Sequence, residues 1–229
     1  MKKILVTLLV ISVLVLIFIH LTIHRFLGFY YVFLIGGVGS YIWKNRVSLE
    51  KKFVAWNIGG FKKFMTFGVA MILVEETFAG FFLNLGVHND LMSFVKVILQ
   101  CWALNIFALP GFMIAWYLLM RHYVYTRMEI FVLVGIFGLY SEKIYAQIST
   151  FPFIVPFLLL PTMVTYVVII APSVMSFREY GTIVLPKYIK YFLGLFIPFL
   201  CSVPLIGILS ILLKFFPWMF PLEFVNINF

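Results

Sequence analysis

The stretch Phe64–Gly86, FMTFGVAMILVEETFAGFFLNLG, carries no charged residue except two adjacent acids at its centre, Glu75 and Glu76. A helix of about 20 residues crosses the roughly 30 Å hydrocarbon core of a bilayer, so this stretch is long enough to span one. Glu75 then lies about 17 Å from the start of the helix, close to the bilayer midplane. The stretch predicts a membrane-spanning helix with a carboxyl pair at mid-depth.

The composition of the whole chain predicts an integral membrane protein. Of 229 residues, 64% are apolar and 11% are charged, against about 45–50% and about 25% in a soluble domain. The net charge of +9 does not indicate nucleic-acid binding, because the basic residues lie in short loops between apolar stretches. There they suit the anionic lipid headgroups of a cytoplasmic face. The two cysteines, Cys101 and Cys201, lie inside apolar stretches and predict neither a disulfide nor a metal site.

Apolar stretches of spanning length recur along the chain, with no linker or low-complexity tract between them. We therefore predict an all-α, polytopic transmembrane helical bundle of about seven spans that forms one domain over residues 1–229. The predicted spans are 4–23, 26–43, 64–86, 97–119, 129–149, 152–172 and 192–213. The fifth is the weakest of these, because the polar segment SEKIYAQ (141–147) interrupts it.

The basic residues predict the orientation of the bundle. With the N-terminus inside and the C-terminus outside, thirteen of the seventeen lysines and arginines fall on the cytoplasmic side, as the positive-inside rule requires. The exceptions are Arg25, Lys96, Lys143 and Lys214. The basic N-terminus and first apolar run also resemble a signal peptide. No small-residue cleavage pattern follows that run, which favours an uncleaved anchor, and we expect residence in the cell membrane.

Helical periodicity predicts which way the acid pair faces. At 100° per residue, small and polar side chains share one side of the third span, whereas its bulky apolar residues lie opposite. On this basis Glu76 points into the bundle and Glu75 lies at the edge of the polar stripe. A carboxylate exposed to lipid at this depth costs at least about 2.5 kcal/mol. Two adjacent carboxyls at low dielectric do not both ionise readily, so we expect one to be protonated.

Other polar residues at membrane depth extend the candidate site. With Glu75 and Glu76, the predicted buried site comprises Asn84, Asn105 and Glu142, and His88 and Asp90 lie at its outer mouth. If these helices pack together, a polar cavity runs from the midplane towards the outer surface. Each residue also has a purely structural interpretation, since an intramembrane amide is commonly interhelical glue. His20 and His24 are four residues apart without the glutamate of an H-E-x-x-H motif, and we predict no metal site.

Several functions remain open from the residues alone. The midplane carboxyls favour transport or permeation of a proton or cation, or an accessory membrane subunit whose polar stripe contacts a partner. The alternative is a membrane-embedded enzyme that acts on a lipid or isoprenoid substrate with the Glu pair as general acid and base. No P-loop, Rossmann fingerprint or G-x-S-x-G motif is present, so no cofactor is identified. The sequence leaves open whether the chain assembles with copies of itself or with a membrane partner subunit.

Overall fold

The computed structural model describes residues 2–22, 26–85 and 91–220, and every regular element in those ranges is helical. In these segments the β contact is an isolated parallel bridge between Tyr123 and Ile183. The elements are α1 (Lys2–Thr22), α2 (Leu27–Tyr31), a π-helical segment (Val32–Gly39), α3 (Ser40–Ala55), α4 (Gly60–Asn84), α5 (Leu91–Ala108), α6 (Pro110–His122), α7 (Arg127–Ser141), α8 (Ile144–Thr150), α9 (Val155–Ser176), α10 (Lys187–Phe215) and a 3-10 turn (Pro217–Met219).

Five helical stretches in the described part of the chain are long and apolar enough to cross a membrane. They are Lys3–Thr22, Gly60–Asn84, Leu91–His122, Val155–Ser176 and Lys187–Phe215, with mean hydropathies from 1.6 to 3.1. They correspond to the first, third, fourth, sixth and seventh predicted spans. The prediction of an all-helical chain with several helices of membrane-spanning length and hydropathy is confirmed.

The two other predicted spans differ from simple apolar helices. The second (26–43) belongs to a continuous helix formed by α2, the π-helical segment and α3, which runs on to Ala55 through a basic last portion. The fifth (129–149) is not one helix. It breaks at Glu142 and Lys143, and Lys143 has a left-handed backbone with φ of 51°. The predicted span over 129–149 is therefore divided between two helices, α7 and α8.

The main apolar core lies where α4, α6, α7, α9 and α10 meet. α6 packs against α10, and α9 packs against both α4 and α7. Large side chains with almost no exposed surface fill the space between them: Phe64, Phe112, Met113, Trp116, Met120, Ile130, Val134 and Ile170. Many apolar side chains on the outside of the bundle stay exposed, as a lipid-facing surface requires.

The helix ends and connections that carry most of the basic residues meet at one end of the molecule. Arg127 forms an ion pair of 2.8 Å with Glu50, and the backbone N–H of Gly181 donates to the carbonyl of Met120 at 2.8 Å. The Tyr117 hydroxyl donates to Glu179 at 3.3 Å. These contacts join residues 44–63, 117–129 and 178–190, which we call the basic end.

Candidate functional site

Glu75 lies near the middle of α4 on the face that packs against protein. Its exposed fraction is 9%, and Gly68 and Gly80 on the same helix are also buried. Val74 and Phe81, on other faces of α4, are exposed. A carboxyl is tolerated at this depth because neighbouring helices shield it from hydrocarbon.

The order of the two acids differs from the helical-wheel prediction. Glu75 is the buried carboxyl, whereas Glu76 is half-buried. The side chain of Glu76 contacts that of Glu75 within hydrogen-bonding range. The prediction that Glu76 points inwards while Glu75 lies at the edge is therefore wrong. The deeper position goes to the acid that meets a partner on another helix.

That partner is Tyr30 on α2, whose hydroxyl donates a hydrogen bond to Oε1 of Glu75. Tyr30 is itself buried. The short helix α2 reaches this position because it packs tightly on α1. A Cβ at Gly28 would lie 2.6 Å from the Cα of Ile17, so only glycine permits the contact.

A second tyrosine–carboxyl pair lies beside the first. The Tyr166 hydroxyl on α9 donates to Oε1 of Glu142 at 2.8 Å. The ring of Tyr166 packs directly against α7 at Gly138. A Cβ at that position would lie only 2.4 Å from the Cδ2 atom of Tyr166. Glu142 follows the end of α7, and the left-handed residue Lys143 then turns the chain into α8. The broken fifth span thus brings Glu142 to Tyr166.

Both pairs line one cavity of about 570 Å³. Its polar lining residues are His20, Tyr30, Tyr31, Glu75, Glu142, Gln147, Thr162, Thr165 and Tyr166, and its apolar ones are Ile19, Ala79, Ile144, Phe151, Ile154 and Leu158. The side chains of Tyr31 and Thr162 share a hydrogen bond. Among the described residues, the buried hydroxyl of Thr165 finds no hydrogen-bond partner. The volume is within the range of small-molecule sites.

The cavity has a deep end and an end away from the basic loops. Glu75 stands at the deep end, near the middle of α4. His20, Gln147 and Phe151 belong to the end of α1, to α8 and to the loop before α9. The Nδ1 atom of His20 donates to the carbonyl of Leu16 at 2.7 Å, because a carbonyl oxygen can only accept. The cavity therefore runs from mid-depth towards the end opposite the basic end.

The structure brings together two of the five predicted buried-site residues at this cavity, Glu75 and Glu142. Asn84 and Asn105 do not join them. Each donates to a carbonyl four residues earlier in its own helix, at 2.7 Å and 3.4 Å. The predicted outer-mouth residues His88 and Asp90 lie outside the described residues.

The sequence-based prediction missed the hydroxyl groups of the cavity: Tyr30, Tyr31, Thr162, Thr165 and Tyr166. A signal for them exists in the chain. A tyrosine hydroxyl at membrane depth needs a hydrogen-bond partner, so a Tyr in place of Phe within a Phe-rich span indicates a polar neighbour. What that neighbour is depends on helix contacts that no local pattern gives.

The site offers oxygen acceptors, and in the described part of the chain no group of three or more His, Cys, Asp or Glu side chains is placed to hold a metal ion. No protein-family model, curated protein or solved structure matches the chain. The chemistry of the cavity must therefore be argued from its own residues. Two carboxyls that accept from tyrosines, with lone pairs left over, form a site that favours a proton or a cation.

Proposed function

We propose that the protein moves protons or small cations across a membrane, with Glu75 and Glu142 as the binding groups along the path. One observation carries the proposal: a carboxyl near the middle of a spanning helix lies at the deep end of a cavity that leads towards one end of the bundle. An ionisable group at such a depth costs free energy, and a role in binding ions along a path accounts for its presence.

We further propose that the chain crosses the cell membrane about seven times, with the N-terminus inside and the C-terminus outside. The grouping of the basic loops at one end supports this topology. In this topology the continuous helix over 27–55 and the α7–α8 pair also cross the membrane. The basic end would then lie at the cytoplasmic face, against anionic headgroups.

A flux measurement tests the transport proposal. Proteoliposomes that contain the full chain and a trapped pH-sensitive dye are given a potassium diffusion potential that is negative inside. We expect proton entry above that of empty liposomes, with loss of most of this flux in Glu75→Gln and Glu142→Gln. Glu50→Gln is the matched control, because Glu50 belongs to an ion pair at the basic end; it should keep the wild-type flux.

Two outcomes would overturn transport. Flux of protons, sodium and potassium no greater than that of empty liposomes is one, and equal flux in wild type and Glu75→Gln is the other. Turnover of a lipid extract without flux would favour the membrane-embedded enzyme instead. Purification in tight association with another membrane protein, again without flux, would favour the accessory subunit.

A further inference from the structure

The cavity described above is lined in a way that points to one class of cargo. Its charged lining groups are the carboxyls of Glu75 and Glu142, and none of the described lining residues is Lys or Arg. At low dielectric, two acids whose described lining neighbours include one histidine, His20, but no lysine or arginine favour a ligand that brings positive charge. An anionic ligand would meet repulsion from both. The lining therefore selects for a cation.

The cavity is larger than a small inorganic cation alone would fill. At about 570 Å³ it can hold an organic molecule. Ile144, Ile154 and Leu158 form an apolar wall, while the tyrosine rings of Tyr30 and Tyr31 stack edge to face with centroids 4.9 Å apart. Aromatic faces attract organic ammonium groups. A cation with an apolar body matches both parts of this lining.

The unpaired hydroxyl of Thr165 narrows the class further. Thr165 is 4% exposed, lines the cavity and finds no hydrogen-bond partner in the described structure. A buried hydroxyl without a partner is costly, so a ligand that supplies one is favoured. Glu142 accepts from the Tyr166 hydroxyl, and Glu75 accepts from Tyr30 beside its contact with Glu76, so both carboxyls keep unused lone pairs. Such acceptors suit an ammonium that still has N–H donors.

We propose that this cavity binds a lipophilic primary amine, with the ammonium between Glu75 and Glu142 and the apolar body against the wall of Ile144, Ile154 and Leu158. The inference rests on the proposed function and names the cargo of the same site. The three N–H donors of a primary ammonium can serve both carboxyls and Thr165. A quaternary ammonium lacks these donors and should bind less tightly.

Binding of 2-phenylethylamine to the full chain in lipid nanodiscs tests the inference, with empty nanodiscs to subtract partition into lipid. The comparators are 3-phenylpropanoate, of similar size and opposite charge, the neutral 2-phenylethanol, and the trimethylammonium analogue. We expect the amine to bind at least tenfold more tightly than any of them. Glu75→Gln and Glu142→Gln should each weaken amine binding at least tenfold, Thr165→Val about threefold or more, and Glu50→Gln not at all.

Three results would overturn the inference: no amine binding beyond empty nanodiscs, equal binding of the alcohol or the carboxylate, or unchanged binding in Glu142→Gln and Thr165→Val. The last two variants keep the test decisive if Glu75→Gln does not fold. The result also stays separate from the proposed function. Glu75-dependent proton flux without amine binding would contradict the amine proposal and support transport. Amine binding without any flux would contradict transport and support the amine proposal.

Discussion

The ring of Tyr166 lies against the backbone of α7 only because position 138 has no side chain. From there its hydroxyl reaches Glu142 at 2.8 Å. Gly138→Ala is expected to push the ring away, to weaken this hydrogen bond, and to lower the free energy of unfolding by about 1–3 kcal/mol through overpacking. Thermal unfolding of the purified protein in detergent measures the change.

Gly207→Ala is the control for that substitution. Gly207 lies inside α10, and a Cβ there would meet no described atom within 4 Å. Alanine is the better helix former by about 0.5–1 kcal/mol, so this variant should be unchanged or slightly stabilised. Destabilisation of the same size at both positions would mean that the contact with Tyr166 is not the cause.

The carboxyl of Glu129, at the basic end, makes the stability of the protein depend on pH. Burial raises the pKa of this carboxyl, but hydrogen bonds from Lys190 and Thr126 outweigh burial and hold the pKa below its ordinary value. Its distance to Lys190 Nζ is 2.7 Å, and the two side chains are only 13% and 10% exposed. Because the folded pKa is the lower one, this stabilisation is complete above the unfolded pKa of about 4.3 and disappears as pH falls through the folded pKa.

Glu129→Gln is therefore expected to lower the free energy of unfolding by about 1.5–3 kcal/mol at pH 7, and the difference from wild type should shrink as the pH falls below about 4. Glutamine still suits the capping box that Thr126 and Glu129 form at the start of α7. Glu50→Gln removes the ion pair with Arg127, in which the Glu50 side chain is 27% exposed and that of Arg127 is 47% exposed. It should lower the free energy of unfolding by only about 0–1 kcal/mol. Equal losses in the two variants, or a Glu129→Gln loss that persists at low pH, would contradict this account.

At the scale of single residues, the sequence predicts that a carboxyl pair faces protein but not which acid lies deeper. Glu75 and Glu76 are 100° apart on the helix, and both lie on the side with small neighbours. The choice depends on Tyr30, which arrives from α2. Asn84 and Asn105 show the same limit, since an amide that reaches a carbonyl of its own helix needs no neighbour. Long-range partners decide these cases.

At the scale of elements, the break between α7 and α8 is the feature that builds the site. Lys143 holds a left-handed backbone with φ of 51°, which strains residues that have a Cβ and especially β-branched ones. Lys143→Val is expected to destabilise the protein by about 1–2 kcal/mol. Lys143→Gly relieves the strain and should leave stability unchanged or raise it by up to about 1 kcal/mol. Thermal unfolding of the two variants in detergent gives the comparison.

Lys214→Val supplies the control, because Lys214 is an exposed residue in the ordinary helical backbone of α10. Valine there should cost no more than about 0.7 kcal/mol. If Lys143→Val cost as little, the turn would not be strained.

The polar residues of 141–147 mark the fifth predicted span as the weakest, but a left-handed backbone at a lysine has no signature in composition or in hydrophobic periodicity. The five long apolar helices follow from apolar length, whereas this break depends on tertiary packing.

At the scale of the whole molecule, the lengths of the apolar stretches predict the five long apolar helices. The distribution of lysines and arginines predicts the segments that meet at the basic end. The number of crossings depends on the two stretches that apolar length alone leaves open, 27–55 and 127–150. In the structure, Glu50 at the end of the first contacts Arg127 at the start of the second, while Tyr30 and Glu142 line the same cavity. Each stretch therefore runs between the cavity and the basic end.

Labelling of single cysteines from outside the cell tests the seven-crossing topology. In a chain with Cys101 and Cys201 replaced by serine, Lys52→Cys marks the basic end and Ser149→Cys marks α8; both positions are exposed. A membrane-impermeant maleimide should label Ser149→Cys on intact cells and Lys52→Cys only after permeabilisation. If residues 27–55 did not cross, Lys52→Cys would react on intact cells. In that case the first span would take the chain outside, and no other crossing would lie between it and residue 52. If 127–150 did not cross, Ser149→Cys would stay protected until the membrane is opened.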